Sequence, residues 1–128
     1  MNKSELIDAA IKSRQNAYVP YSKFRVGAAL QTSSGRIYCG ANVENISFGL
    51  TICAERVCVG AAIAAGDTSF EMIAVAADSE VPVVPCGACR QVLAEFSPAL
   101  EIVSSTLKGQ VAEFRLDELL PRPKQGIL

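Results

Sequence analysis

Four residues near the middle of the chain have the types and the spacing of a catalytic metal site. The stretch "TICAER" places Cys53 two residues before Glu55, and "PCGAC" separates Cys86 from Cys89 by two residues. Cysteines at the latter spacing lie one turn apart at the start of a helix, so both sulfurs can reach one ion. Because the chain contains no His, a zinc site here must be built from cysteines and carboxylates.

A catalytic zinc site holds three protein ligands and leaves one position for water. Cys53, Cys86 and Cys89 would supply three thiolates to one Zn²⁺ ion per subunit. Glu55 is then not needed as a ligand, and it is placed to carry a proton to and from the bound water.

Three thiolates on one zinc ion leave a net negative charge, which resists activation of water. Arg56 follows the glutamate directly, and we expect it to hydrogen-bond ligand sulfurs and offset that charge. Gln91, two residues after the last cysteine, is a second candidate for a supporting contact. Either residue could instead be an ordinary polar group on a helix surface.

Both cysteine stretches fall where a helix is predicted to begin. "CAERVCVGAAIAAG" is an apolar, Ala-rich run closed by Gly66 and predicts a buried helix, and "PCGACRQVLAEF" continues at helical period from Pro85 to Pro98. The positive ends of two helix dipoles would therefore meet at the thiolates and favour their ionised form.

The remaining elements predict one α/β domain over residues 1–128, with about 122–128 a loose tail. Asn2 and Glu5 resemble a capping box for a helix that runs to Tyr18 and is ended by Pro20. Residues 24–43 read as a hairpin, and "FEMIAVAA" as a central strand. "LEIVSST" and "QVAEFRL" are joined too closely for a crossover helix, so they should pair antiparallel before a helical turn at "LDELLP". The order predicts one mixed sheet of about five strands with helices on both faces.

The composition restricts the partners. A net charge of −1 and scattered Lys and Arg disfavour a nucleic-acid partner. No apolar run is long enough for a membrane span, and "MNKSELIDAA" reads as a helix start rather than a signal peptide. We therefore expect a reducing, cytoplasmic setting for the five Cys. The apolar fraction of 50% favours an oligomer.

Four sequence motifs occur in this chain in the order and at the spacing that are typical of a known enzyme family. "PYSKFRVGAAL", "GANVEN", "ICAER" and "PCGACRQVL" together resemble the small, homotetrameric, three-cysteine cytidine deaminases, and the similarity runs from Glu5 to Pro121. The resemblance implies a three-layer αβα sandwich and hydrolytic deamination of cytidine and 2′-deoxycytidine to uridine and 2′-deoxyuridine plus ammonia, as in pyrimidine salvage. It also implies a homotetramer with active sites shared across subunit contacts, to which residues around Phe48 contribute.

The resemblance also implies a role for each site residue. The zinc ligands match Cys53, Cys86 and Cys89, and the glutamate that transfers protons matches Glu55. The substrate contacts match Phe24 (packing on the base), Asn42 and Glu44 (the ribose hydroxyls), and the backbone of Ala54 and the carbonyl of Val84 (the pyrimidine edge).

The chain departs from the family pattern at two places. Val84 stands where relatives often have Ser, although a backbone contact survives that change. The tail "PRPKQGIL" has no aromatic residue, whereas many relatives supply one to an adjacent site. We therefore expect a less covered pocket that tolerates bulkier groups on the cytosine amine.

Three alternatives stay open at this point. The substrate could be a modified cytosine nucleoside such as blasticidin S or an N4-substituted cytidine, although "PYSKF" and "NVEN" favour the simple nucleoside. The cysteines could instead form a redox dithiol or a closed structural zinc site in a protein without catalysis. Cys39 and Cys58 are the only spare sulfurs for such a closed site, and both are more typical of small buried residues.

Overall fold

A single five-stranded sheet forms the middle layer of the molecule, as seen in a computed structural model that describes residues 2–124. Along the chain the elements are α1 (Lys3–Ser13), β1 (Val26–Thr32), β2 (Ile37–Ala41), α2 (Ala54–Ala64), β3 (Phe70–Ala77), α3 (Gly87–Phe96), β4 (Glu101–Thr106), β5 (Val111–Arg115) and α4 (Leu116–Leu119). Short 3₁₀ helices span Arg14–Asn16 and Phe48–Leu50. No helix among the described residues combines the length and the apolar character that a membrane span requires.

The sheet has the strand order β2-β1-β3-β4-β5 and is mixed. β1 pairs antiparallel with both β2 and β3, whereas β3 and β4 are parallel. β4 and β5 pair antiparallel, which confirms the prediction from their short link. The parallel pair requires a crossover, and α3 makes it.

Helices cover both faces of the sheet, and this arrangement confirms the predicted three-layer αβα sandwich. On one face, α1 buries Leu6 and Ala10 against Ala29, Ala74 and Val103. On the other face, α2 and α3 contribute a second cluster that includes Cys58, Ala62, Leu93 and Ala94 and packs over Leu30, Ile73 and Ile102. The two cysteine-bearing helices therefore lie side by side on one face.

The first helix begins as predicted but ends earlier. The Asn2 side chain accepts a hydrogen bond from the backbone N–H of Glu5, which caps the start of α1. The prediction that the helix reaches Tyr18 is wrong, because α1 ends at Ser13 and its 3₁₀ extension at Asn16. The Arg25 guanidinium donates to the carbonyls of Gln15 and Ala17, 3.0 and 2.7 Å away, so a side chain takes the acceptors that another helical turn would use.

Gly27 lets α1 approach β1 closely. A Cβ atom added at this position would lie 2.0 Å from the carbonyl oxygen of Ala10 and 2.6 Å from the backbone nitrogen of Arg14. Both neighbours are backbone atoms of the helix end, which cannot move aside as a flexible side chain would. The element that approaches this glycine is therefore the end of α1.

Two predictions about burial need correction or restriction. The helix predicted to be buried, α2, exposes Gly60, Ala61, Ile63 and Ala64 in the single chain. Of the predicted tail, the described part contacts α3: the Pro123 carbonyl accepts from Gln91 at 3.2 Å, and Lys124 pairs with Glu95 at 3.2 Å. Residues 125–128 lie outside the described residues.

Asp67 ties the end of α2 to the β1–β2 hairpin. One carboxylate oxygen, Oδ2, accepts hydrogen bonds from Tyr38 at 2.6 Å, Ser34 at 3.1 Å and Thr32 at 3.2 Å. The hydrogen bond from the Tyr38 hydroxyl, with those from the other two, lowers the pKa of Asp67 below its ordinary value of 3.8. The ionised form is therefore favoured by folding.

Asp67→Asn is predicted to lower stability in a pH-dependent way. A carboxyl whose folded pKa is depressed contributes stability above its unfolded pKa and loses it as the pH falls through the folded pKa. The variant should therefore unfold at lower urea concentration than the wild type at neutral pH, and the difference should shrink as the pH falls below the unfolded pKa and vanish below the folded pKa. Asp78→Asn, which removes a charge at an exposed position, is the matched control. If the stability difference between the wild type and Asp67→Asn stayed constant from neutral to acid pH, the stabilising role of the ionised Asp67 would be contradicted.

Candidate metal centre and active site

The three predicted cysteine ligands converge on one point. Cys53 is the N-cap residue of α2, and Cys86 is the N-cap residue of α3. Their Sγ atoms are 3.8 Å apart, the Sγ atoms of Cys86 and Cys89 are 3.4 Å apart, and all three lie within 4.8 Å of one another. A tetrahedral zinc ion with bonds of about 2.3 Å holds its sulfurs roughly 3.8 Å apart, so the three thiols fit zinc.

This group offers no fourth protein ligand. Among the described residues, the thiols that can share one ion are those three alone. Cys58 is buried in the core beneath α2, where desolvation raises its pKa, and Cys39 is exposed on β2. A closed structural site is therefore disfavoured, and a fourth position remains for a small molecule.

The loop that carries two of the cysteines is held by Arg90. Its Nε donates to the carbonyl of Pro85 at 2.8 Å, and a terminal nitrogen donates to the carbonyl of Leu119 at 3.2 Å. Arg90 was not predicted as a site residue, although its position directly after "PCGAC" was a usable signal. Arg90 thus links the start of α3 to the end of α4.

Arg56 contacts the metal-binding group through one of its cysteines. Its guanidinium donates to the Cys53 Sγ at 3.8 Å and to the carbonyl of Thr51 at 3.2 Å. Its Nε is buried and has no hydrogen-bond partner among the described residues. A partly buried cation that touches a ligand sulfur is suited to a site that accumulates negative charge.

The thiols share their protons unequally. A hydrogen bond from Cys89, helped by Arg56 and Cys86, lowers the pKa of Cys53 to about 5. The same hydrogen bond to Cys53 and burial raise the pKa of Cys89. Without a cation, one thiolate therefore forms readily and the next is resisted, which is the behaviour expected of a group that needs a metal to ionise fully.

Glu55 is a buried carboxyl beside these thiols. Its side chain follows Cys53 on the first turn of α2, and the residue is only 5% exposed. Burial raises the pKa of Glu55 to about 7 in this environment. A carboxyl with a pKa near neutrality can both take up and release a proton at the working pH.

A cavity of about 320 Å³ opens beside the thiols and the glutamate. Its lining includes seven residues that were predicted for the site: Phe24, Asn42, Cys53, Ala54, Glu55, Val84 and Cys86. It also includes four residues that sequence reasoning missed: Val26, Thr51, Val75 and Val83. None of these four belongs to a residue type that would mark it as catalytic or metal-binding. Only position connects them to the site: Val26 begins β1, Val75 lies late in β3, Thr51 precedes Cys53, and Val83 precedes Pro85.

Asn42 lines the cavity but also holds the start of β1. Its Oδ1 accepts from the backbone N–H of Val26, and its Nδ2 donates to the carbonyl of Phe24, both at 2.9 Å. One Nδ2 proton remains free of these contacts. Asn42 therefore fixes the backbone on both sides of Arg25.

Glu44 and Gln91 lie away from the cavity lining. The Glu44 carboxylate accepts from the backbone N–H groups of Tyr21 and Ser22 at 3.1 Å and from the Ser22 hydroxyl, whose hydrogen bond lowers the pKa of Glu44. Gln91 is exposed, and its amide donates to the Pro123 carbonyl rather than to a cysteine. The supporting contact expected of Gln91 is thus made with the C-terminal segment.

Comparisons with known proteins assign the chain to a family. The sequence model of the cytidine and deoxycytidylate deaminase zinc-binding region matches residues 1–105. The chain belongs to the cytidine and deoxycytidylate deaminase family.

Several relatives of this deaminase family cover nearly the whole chain. A cytidine deaminase of Halalkalibacterium halodurans is 49% identical over 94% of this chain and 92% of its own length. A crystal structure of cytidine deaminase from Burkholderia pseudomallei superposes with a TM-score of 0.92 at 46% identity, covering 95% of this chain and 98% of that one. A blasticidin-S deaminase of Bacillus cereus is 28% identical over 91% of this chain and 88% of its own.

The purified chain is predicted to hold one zinc ion per chain through three of its five cysteines. Cys86→Ser should lose most of the metal, because a neutral hydroxyl replaces a thiolate and only two good ligands remain. Cys39→Ser, which changes an exposed cysteine outside the group, should retain it. Elemental analysis of the dialysed proteins measures the ratio; full metal content in Cys86→Ser would refute the site.

Proposed function

We propose that this chain is a zinc-dependent cytidine deaminase that converts cytidine and 2′-deoxycytidine to the corresponding uridine nucleosides and ammonia. The observation that carries the proposal is a buried carboxyl placed beside three convergent thiols at the wall of a nucleoside-sized cavity. The relatives named cytidine deaminase, at 49% and 46% identity, support the same activity. The reaction exchanges a C4–N bond for a C4–O bond and involves no oxidation.

Cys53, Cys86 and Cys89 would hold the zinc ion. When bound, zinc supplies a Lewis acid that activates water for attack on C4 at neutral pH. Arg56 donates to the Cys53 sulfur, which draws negative charge away from the thiolates and makes the loss of a proton at the site less costly.

Glu55 would move the protons. Its carboxylate accepts one proton from the attacking water, delivers a proton to N3 of the cytosine ring, and later supports protonation of the leaving amine. The burial of the residue excludes bulk water from this transfer. General acid–base catalysis of this kind contributes on the order of 10²–10⁴ in rate.

The cavity walls would orient the base. Phe24 and Val84 line the cavity, and the Phe24 ring offers an apolar face for stacking on the pyrimidine. The Val84 carbonyl and the backbone of Ala54 would contact the polar edge of the base. The substitution of Val for Ser at position 84 leaves that backbone carbonyl in place.

Asn42 and Glu44 would hold the ribose hydroxyls. Asn42 keeps one amide proton beyond those used to fix β1, and Glu44 is a carboxylate that accepts from hydroxyl groups. A carboxylate close to the sugar would repel a phosphate, so free nucleosides are favoured over nucleotides.

We further propose a homotetramer with shared active sites. The segment between Glu44 and Cys53 exposes three large apolar side chains in the single chain: Ile46 (80% exposed), Phe48 (77%) and Leu50 (66%). Apolar side chains at this density near a cavity mouth are typical of a contact surface.

We also propose a reducing, cytoplasmic setting for this protein, which its five unpaired thiols support.

The activity proposal predicts a specific response to Glu55→Gln. Wild-type protein should lower the ultraviolet absorbance of cytidine and of 2′-deoxycytidine, whereas the variant should keep its zinc and lose about 10²-fold or more of kcat, because an amide cannot transfer the protons. Glu80→Gln, at an exposed position, is the control and should match the wild type.

A panel of cytidine, 2′-deoxycytidine, cytosine, cytidine monophosphate, N4-methylcytidine and blasticidin S sets the substrate class. Turnover of the two simple nucleosides above all others supports the proposal. Preference for blasticidin S or for the N4-substituted nucleoside would replace it with a modified-nucleoside deaminase. No turnover of any compound by the zinc-loaded wild type would contradict an enzymatic role.

The assembly proposal is tested at Phe48. Sedimentation of the wild type should give a species of four 13.6 kDa chains, and Phe48→Asp should shift it to smaller species, because a charge cannot be buried unpaired in an apolar contact. Val111→Asp, at a half-exposed position on the edge strand β5, is the control. A monomeric wild type would rule out the tetramer.

A further inference from the structure

The segment that carries Phe24 to the cavity is not part of a strand. Between Val19 and Phe24 the chain makes a turn in which the N–H of Lys23 donates to the carbonyl of Val19 at 3.1 Å. Lys23 adopts a left-handed φ of 63°, which is uncommon for a residue with a side chain. Such a turn persists only where surrounding contacts hold it.

The Ser22 hydroxyl joins this turn to Glu44. Its oxygen accepts from the backbone N–H of Phe24 at 3.0 Å, and its proton is donated to Oε2 of Glu44. The other carboxylate oxygen accepts from the N–H groups of Tyr21 and Ser22. Glu44 therefore organises the turn, and Ser22 transmits that order to the backbone of Phe24.

Glu44 is itself fixed relative to the metal ligands. Its N–H donates to the carbonyl of Tyr18 at 2.9 Å, and the preceding residue, Val43, exchanges two backbone hydrogen bonds of 2.9 Å with Ile52. Ile52 is the residue immediately before Cys53. Cys53 is thus connected to Phe24 by alternating chain neighbours and hydrogen bonds, through Ile52 and Val43 and then through Glu44 and Ser22.

We propose that Ser22 is a positioning residue, which sets the distance between the Phe24 ring and the metal centre and so tunes nucleoside affinity. The inference rests on the proposed function, since it assumes that the base packs on Phe24. Ser22 does not itself line the cavity, and of its two hydrogen-bond partners, Phe24 and Glu44, only Phe24 is a lining residue, so its effect on the cavity wall passes through the backbone N–H of Phe24. Asn42 holds the carbonyl of the same residue, and the two contacts together define where the ring lies.

Loss of the Ser22 hydroxyl should loosen the ring without unfolding the chain. Ser22 is exposed, so water can solvate the N–H of Phe24 and the carboxylate of Glu44 in its place. The reacting groups at Glu55 and the cysteines are not moved. The variant should therefore lose about the same binding free energy in the ground state and in the transition state. Such a loss raises KM and leaves kcat nearly unchanged.

Steady-state kinetics of the zinc-loaded enzyme test this inference. Ser22→Ala is expected to raise KM for cytidine roughly three- to tenfold, with kcat within about twofold and zinc content unchanged. The dissociation constant of uridine, measured by calorimetry, should rise by the same factor. Ser22→Thr, which keeps the hydroxyl, should restore both values, and Ser33→Ala, which removes an exposed hydroxyl bonded to Ser69 in another turn, should change neither.

A double-mutant cycle with Phe24→Leu identifies the route of the effect. If Ser22 acts through Phe24, Ser22→Ala should add little to the KM of Phe24→Leu. Fully additive effects, or an unchanged KM in Ser22→Ala, would overturn the inference. These outcomes are separate from failure of the proposed function, in which the wild type itself neither turns over cytidine nor binds uridine.

Discussion

Repulsion among three thiolates is the constraint around which the site is built. Sulfurs held within 4.8 Å of one another cannot all ionise unless positive charge meets them. The chain provides that charge in two forms, the amide ends of α2 and α3 and the guanidinium of Arg56. A divalent cation supplies the rest of the positive charge that three thiolates require. Metal binding and full ionisation of the thiols are therefore coupled.

The sheet determines that the two helix starts meet. α2 and α3 pack on the same face, over β1 and β3 and their neighbours, and α3 is the crossover between the parallel strands β3 and β4. A crossover helix begins after the carboxyl end of its strand, which places Cys86 just beyond β3. On the opposite face of the sheet, Gly27 has no side chain, and this lets α1 pack close to β1.

The chemistry could be predicted from the sequence because it is encoded locally. Two cysteines at a two-residue spacing, a third followed by Ala and Glu, and a capped helix each depend on neighbouring residues, and the structure brings the three cysteines together as expected. The end of α1 could not be predicted this way, since Arg25 ends it from ten residues along the chain. The partner of Gln91 is likewise set by the C-terminal segment at Pro123, which no local pattern reveals.

Asn42, which lines the cavity, and Glu44, which lies outside its lining, both use most of their hydrogen-bonding groups on the protein itself. A carboxylate offers about four acceptor sites, and Glu44 already accepts three hydrogen bonds from the turn before Phe24. About one acceptor direction of Glu44 is therefore left outside these contacts, just as Asn42 keeps one of its two amide protons. Because these groups already fix the turn before Phe24 and the start of β1, their geometry is set by the protein, and the proposed contacts with the ribose would need little further ordering.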